Sequence, residues 1–257
     1  MFNRLAAILL TVGTILSLPR QSKPNDSSYV GTETQSVFQG QQPSMYLWAW
    51  ERSEDLSFIN PNKVGVAYLA ATFYVSGDHL AVRGRLQPLK VPRGTKLIAV
   101  YRIQTEAATL SDQQTEAIVN HILLSSNSRD AVGVQLDFDA RKSQRTMYRS
   151  LLFALKDRLP PRKHLLITSL ASWCMDDYWL ADVPVDEAVP MLFRLQTPHN
   201  TIANWLQRNH QFGPQCSAST GISTDELFPL DVAKDKTLFV FSPIAWNVNE
   251  FSKLNLR

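Results

Sequence analysis

Two carboxylates close an apolar run in the stretch Val132–Arg141, VGVQLDFDAR. Side chains alternate across a β-strand, so Gly133, Gln135, Asp137 and Asp139 share one face, and Val132, Val134, Leu136 and Phe138 share the other. A strand with one wetted face would carry Gln and Asp at no cost. Among neighbours that are apolar on both faces, inward carboxylates need a reason, because burying an unpaired charge is expensive. Two carboxyls about 7 Å apart at Cα disfavour ionisation of both, which keeps a proton available. Glycosidic cleavage has that requirement: one carboxyl donates a proton, and a second group meets the oxocarbenium centre. The spacing predicts Asp139 as general acid and Asp137 as its modulator, with Asp177, Asp225 or Glu226 as partner nucleophile or base.

Other residues fall at the ends of predicted strands and are expected to join this pair as substrate-binding groups. Trp48 and Trp50 close the first strand, Tyr101, Arg102 and Gln104 the third, and Gln135 lies below Asp137 on the fourth. Trp173 and the loop MDDYWL with Asp177 follow the fifth, Arg194 ends the sixth, Asp225 and Glu226 the seventh, and Trp246 the eighth. Indole faces suit the apolar faces of sugars, and charged groups suit their hydroxyls. The expected partner is therefore a carbohydrate or cell-envelope glycan. Guanidinium groups bind carboxylate or sulfate bidentately, so Arg102 and Arg194 point either to an anionic glycan or to ion pairs with Asp137 and Asp139.

The elements that position these residues follow a regular alternation. Apolar β-like runs occupy 45–50, 64–74, 96–105, 131–139, 164–173, 188–195, 217–223 and 237–245. Helical spacing recurs over 111–125, 143–159 (stopped by Pro160-Pro161) and 200–209, and 79–89 reads as a small hairpin after the second strand. Strands alternating with helices argue for a parallel sheet, and eight of them for a compact (β/α)8 TIM barrel. An open doubly wound sheet usually shows a glycine-rich turn after its first strand, and WAWERSED has no glycine. The barrel is expected to span 45–257.

Before it, Leu5–Leu18 is uncharged and follows Arg4. This is the length of a signal-peptide core, short of the roughly 20 apolar residues of a spanning helix. Residues 1–18 are expected to be a signal peptide or N-terminal membrane anchor, and 19–44, rich in Ser, Gln, Asn, Thr and Pro, a disordered linker. The protein is then exported, periplasmic or tethered through residues 5–18 to the outer face of the cytoplasmic membrane. A net charge of +3 is too small to argue for nucleic acid. The five histidines show no metal-binding spacing and no phosphate loop occurs, so neither metal nor cofactor is expected. The basic run Arg141–Lys163 reads as a solvated outer face, or as a weak membrane-surface contact near the N-terminal anchor. After export Cys174 and Cys216 could form a disulfide, whereas their places near opposite ends of their predicted strands oppose pairing, so the sequence leaves the bond open.

Two resemblances add to this reading. LWAWERSEDLSFI, GVQLDFDA, SLASW, DEAVPMLFR and GISTDE resemble an uncharacterised exported bacterial family with no assigned activity, over roughly Met45–Trp246. The resemblance implies a glycoside-hydrolase-like TIM barrel. Locally, the fourth strand is similar to the D-x-x-D-x-D-x-E strand end of chitinase-like family 18 glycoside hydrolases, whose Glu protonates the departing oxygen and whose preceding Asp orients an acetamido group. The matching positions are Val132, Gln135, Asp137 and Asp139, so one Asp is kept and Asp stands in place of the Glu. The family's sixth-strand Met-x-Tyr-Asp corresponds to Met191-Leu192-Phe193-Arg194, and its eighth-strand Trp to Trp246. Two readings follow: a glycoside hydrolase-like enzyme, or a non-catalytic glycan- or envelope-binding barrel of the same descent. An open groove at Asp139 favours the first, and carboxylates plugged by arginine the second.

Overall fold

The computed structural model describes residues 43–127, 131–175, 178–195, 199–208, 211–226 and 235–254. The expected N-terminal segment 1–18, nearly all of the linker, and Asp177 lie outside these. Chain order is β1 (Met45–Ala49), β2 (Glu54–Asp55), β3 (Val64–Ser76), β4 (His79–Gly84), β5 (Leu89–Lys90), β6 (Leu97–Thr105), helix α1 (Asp112–Ser125), β7 (Ala131–Asp137) and α2 (Arg145–Arg158). Then come β8 (His164–Leu170), α3 (Ala171–Cys174), β9 (Glu187–Met191), α4 (His199–Gln207), β10 (Ser219–Ser223), β11 (Thr237–Phe241) and α5 (Val248–Ser252). Strands β1, β3, β6, β7, β8, β9, β10 and β11 pair in parallel in that order, and β11 pairs back onto β1, which closes an eight-stranded barrel. Each of the eight overlaps one of the runs read from sequence, several ending a few residues earlier.

The first two connections depart from the alternating plan. There β2 and β5 form a small parallel ribbon, and β4 folds back antiparallel on the distal half of β3. Helices begin where caps dictate. Ser111 Oγ accepts from the Gln114 amide, Gln114 Oε1 accepts from the Ser111 amide, and the reciprocal pair starts α1. Helix α2 stops at Leu159, ahead of Pro160-Pro161.

Alternation along the strands separates two environments. Trp48 Nε1 donates to Gln135 Oε1 at 2.8 Å although β1 and β7 do not pair, so both side chains cross the barrel interior. Tyr46, Ala67, Ile98, Val100, Leu166, Val189 and Phe239 fill that interior. Val134, Leu136 and Phe138 instead join Ile118, Ile122, Leu151 and Leu155 in the outer layer against α1 and α2. The interior is tight enough to need glycine. A Cβ on Gly65 would collide with the Tyr46 ring and lie 2.9 Å from the Lys96 carbonyl oxygen, which is backbone and cannot yield. Gly65→Ala is expected to lower stability by about 1–3 kcal/mol, read as an earlier urea midpoint at unchanged m-value. An unshifted midpoint would mean that Tyr46 swings aside freely.

Glu187 enters the lower interior 3% exposed. Burial, with Asp186 adding and Lys236 opposing, pushes its carboxyl from 4.5 up to about 8. The folded state therefore prefers the neutral acid, whose contribution is full below about 4.5 and is lost as pH rises through about 8. Glu187→Gln is expected to hold its melting temperature between about pH 5 and pH 8 while the wild type declines. Parallel declines in both proteins would remove this account.

The strand-end objection to a disulfide is overturned here. Cys174 and Cys216 form a disulfide, with Cα atoms 5.8 Å apart. The fifth strand ends at Leu170, not Trp173, and α3 turns Cys174 into the outer layer. Cys216 sits in a single 3-10 turn, 214–216, before β10 and packs in the same layer. The backbone is joined there too, since the Gly213 amide donates to the Cys174 carbonyl at 3.0 Å.

Candidate functional site

Asp137 and Asp139 stand at the C-terminal rim, where (β/α)8 enzymes build their sites from strand ends. Asp137, the last residue of β7, accepts from Thr168 Oγ1 at 2.8 Å and faces Arg102 Nε at 3.8 Å. Asp139 follows the strand end and is exposed to the groove. Burial of Asp137, and partial desolvation of Asp139 by the groove walls around it, hold both carboxyls above the ordinary carboxylate range, against the pull of Arg102 on each and of the Thr168 hydroxyl on Asp137. For Asp137, Asp139 adds a smaller upward push. The pair therefore retains protons more readily than free carboxyls do, as proton donation requires.

A cleft of about 470 Å³ opens on one side of the pair, lined by Trp48, Trp50, Arg194, Phe193 and Phe241 among others. Phe193 and Phe241 stack at 5.5 Å and nearly parallel, and the Arg194 guanidinium lies 4.8 Å from the Phe241 ring centre. Arg194 adopts a left-handed backbone (φ 51) that non-glycine residues seldom take, and its amide donates to Glu226 Oε2 at 2.7 Å. Trp50 is held by its backbone. Arg85, just past the hairpin, donates to the carbonyls of Ala49, Trp50 and Arg52 at 3.2, 2.5 and 2.6 Å. The side chain of Gln135 lies wholly buried beneath the rim, with its Nε2 unpartnered among the described residues.

Asp137, Asp139, Trp48, Trp50, Arg102 and Arg194 thus converge as expected from sequence, and Gln104 lines a second groove beside them. Three expected residues point elsewhere. Tyr101 follows Val100 and precedes Arg102, so alternation sends it outward, where its hydroxyl meets Ser125 Oγ of α1 at 2.6 Å. Trp173 lies in α3 and packs edge-on against Trp179 at 4.9 Å, in the outer layer. Trp246 falls beyond the end of β11 and packs among Leu47, Val66 and Val240, donating to the Trp48 carbonyl at 2.9 Å. It is no floor for the cleft. Asp225 accepts from Ser223 Oγ, and neither Asp225 nor Glu226 lines either cavity.

Thr168, Phe241 and Arg85 were missed by sequence reading, and only Phe241, at a strand end, carried a signal. A fourth is Tyr148 of α2. It is fully buried with its hydroxyl unpartnered among the described residues, and burial, then Asp137 and Asp139, pushes that hydroxyl far up. No cluster of three metal-ligating side chains occurs among the described residues.

A scan against family models gives no match to this chain, and a search of curated proteins gives none.

Proposed function

We propose that this chain is an exported carbohydrate-active protein with a glycosidase-like (β/α)8 TIM barrel, and that it hydrolyses a glycosidic bond in a polysaccharide or cell-envelope glycan. Asp139 is the general acid. One observation carries the reading: Asp139 lines the open cleft beside a second carboxyl, with protonation favoured at both. The Asp139 proton passes to the glycosidic oxygen as the C1–O bond breaks. Water then adds at C1 and returns a proton to the Asp139 carboxylate. Asp137, anchored by Thr168 and Arg102, faces the positive centre or orients a neighbouring group of the sugar that does so. The likeness of the β7 end to family 18 hydrolases supports the same roles. The disulfide supports export, since such bonds persist in oxidising compartments.

A binding barrel is the second reading. It is favoured by the ion pair of Arg102 on Asp137 and by the lining of the aromatic cleft, which among the described residues holds no carboxylate besides Asp137 and Asp139. A polysaccharide-hydrolysis screen of wild type beside Asp139→Asn separates them. Turnover lost in the variant supports the enzyme. Equal binding by both proteins without turnover supports recognition alone.

A further inference from the structure

The carboxylate pair has open space on both sides. Besides the aromatic cleft, a polar groove of about 840 Å³ runs along the ends of β3 and β6, lined by Tyr74, Gln104, Glu106 and Arg141 among others. Among the described residues, only Arg102, Asp137 and Asp139 belong to both cavities. Each volume alone falls within the range of a small-ligand site, about 300–1,000 Å³. A site for a chain end needs one such space, closed behind the reacting unit.

The second groove comes from unequal strand lengths. β3 and β6 stay paired up to Val75 and Thr105, whereas the pairing of β6 with β7 ends at Arg102 and Asp137. The three register positions by which β6 outruns β7 (Ile103, Gln104 and Thr105) raise a wall beside the carboxylates. The walls differ in chemistry. On one side Trp50, Phe193 and Phe241 offer ring faces, and on the other Gln104 and the Arg141–Glu106 pair, at 2.5 Å, offer hydrogen bonds.

We infer that the site takes an internal linkage of a linear glycan, which lies across both cavities with the bond to be broken over Asp139. Action is then within the chain, not from its end. This rests on the glycan-active reading above and adds the polymeric substrate and its path. Trp50 seats the units on the aromatic side, and Gln104 contacts those on the polar side.

The test is calorimetric binding of the full chain carrying Asp139→Asn to linear oligosaccharides of graded length. Chitin-derived and polyuronate-derived series serve as the neutral and anionic probes. Affinity should climb with length beyond what one cavity holds. Adding Trp50→Ala or Gln104→Ala should each weaken the longest binder about tenfold, while a disaccharide responds to only one of them. Neither position is fully buried, and a melting curve checks that each variant folds. A disaccharide that binds as tightly as the longest oligomer, or a Gln104→Ala variant with unaltered long-chain affinity, overturns the internal-linkage inference and leaves the glycan reading standing. No binding by either series at any length overturns both.

Discussion

Asp139→Asn should lower kcat on the cleaved glycan by about 10²- to 10⁴-fold, the usual contribution of a positioned proton donor, while substrate affinity stays near the wild-type value. Asn is isosteric and hydrogen-bonds like the neutral acid but has no proton to give. The pH profile carries a further signature. The acid works only when protonated, and burial holds the Asp139 carboxyl above its ordinary range. Activity is therefore full at pH values below that raised pKa and falls as pH climbs through it. Arg102 is the neighbour that pulls both carboxyls down, so Arg102→Met should move the alkaline limb to higher pH. Its side chain is half-exposed, so the fold does not rest on it, and a melting curve checks that. Full turnover by Asp139→Asn would place the proton donor elsewhere. An unmoved alkaline limb in Arg102→Met would detach that limb from Asp137 and Asp139.

The eight barrel strands were legible because each is a short apolar run bounded by polar or turn residues, a pattern that local chemistry controls. Which way an aromatic at a strand end points depends on parity and on where the strand stops. Arg102 and Tyr101 differ by one position and face opposite layers. Trp173 and Trp246 were assigned to strands that end at Leu170 and Phe241, and the few extra residues carry both indoles out of the cleft. The Asp137–Asp139 site itself was readable, since charge on an otherwise apolar strand is costly unless used. Thr168 was not, because threonine is ordinary in a strand and its pairing with Asp137 depends on register between β7 and β8. The polar groove was equally hidden. It arises from β6 outrunning β7, a difference of three positions that no residue type announces.

The disulfide, which the sequence left open, leads to the second large effect. Cys174 and Cys216 are 42 residues apart, and closing a loop of that length removes about 4 kcal/mol worth of denatured-chain entropy in the chain-entropy model. The double variant Cys174→Ser/Cys216→Ser should therefore lose about 2–5 kcal/mol, and dithiothreitol should take the wild type to the same denaturant midpoint while leaving the variant unmoved. A change in the cleft should accompany the loss. Ala171, Ser172 and Met175 line the aromatic cavity from α3 and the residue after it. α3 has only four residues, too few to hold itself as a helix. The bond at Cys174 and the Gly213 amide on its carbonyl tie that wall to the outer layer. Reduction should thus weaken glycan binding on the aromatic side while the Asp139 pH limb stays put, because Arg102, Thr168 and β7 do not depend on the crosslink. A reduced protein with an unchanged midpoint would show that the two thiols are not joined in the native chain. A lowered midpoint with unchanged binding would show that the wall is held by Trp173 and Leu180 packing alone.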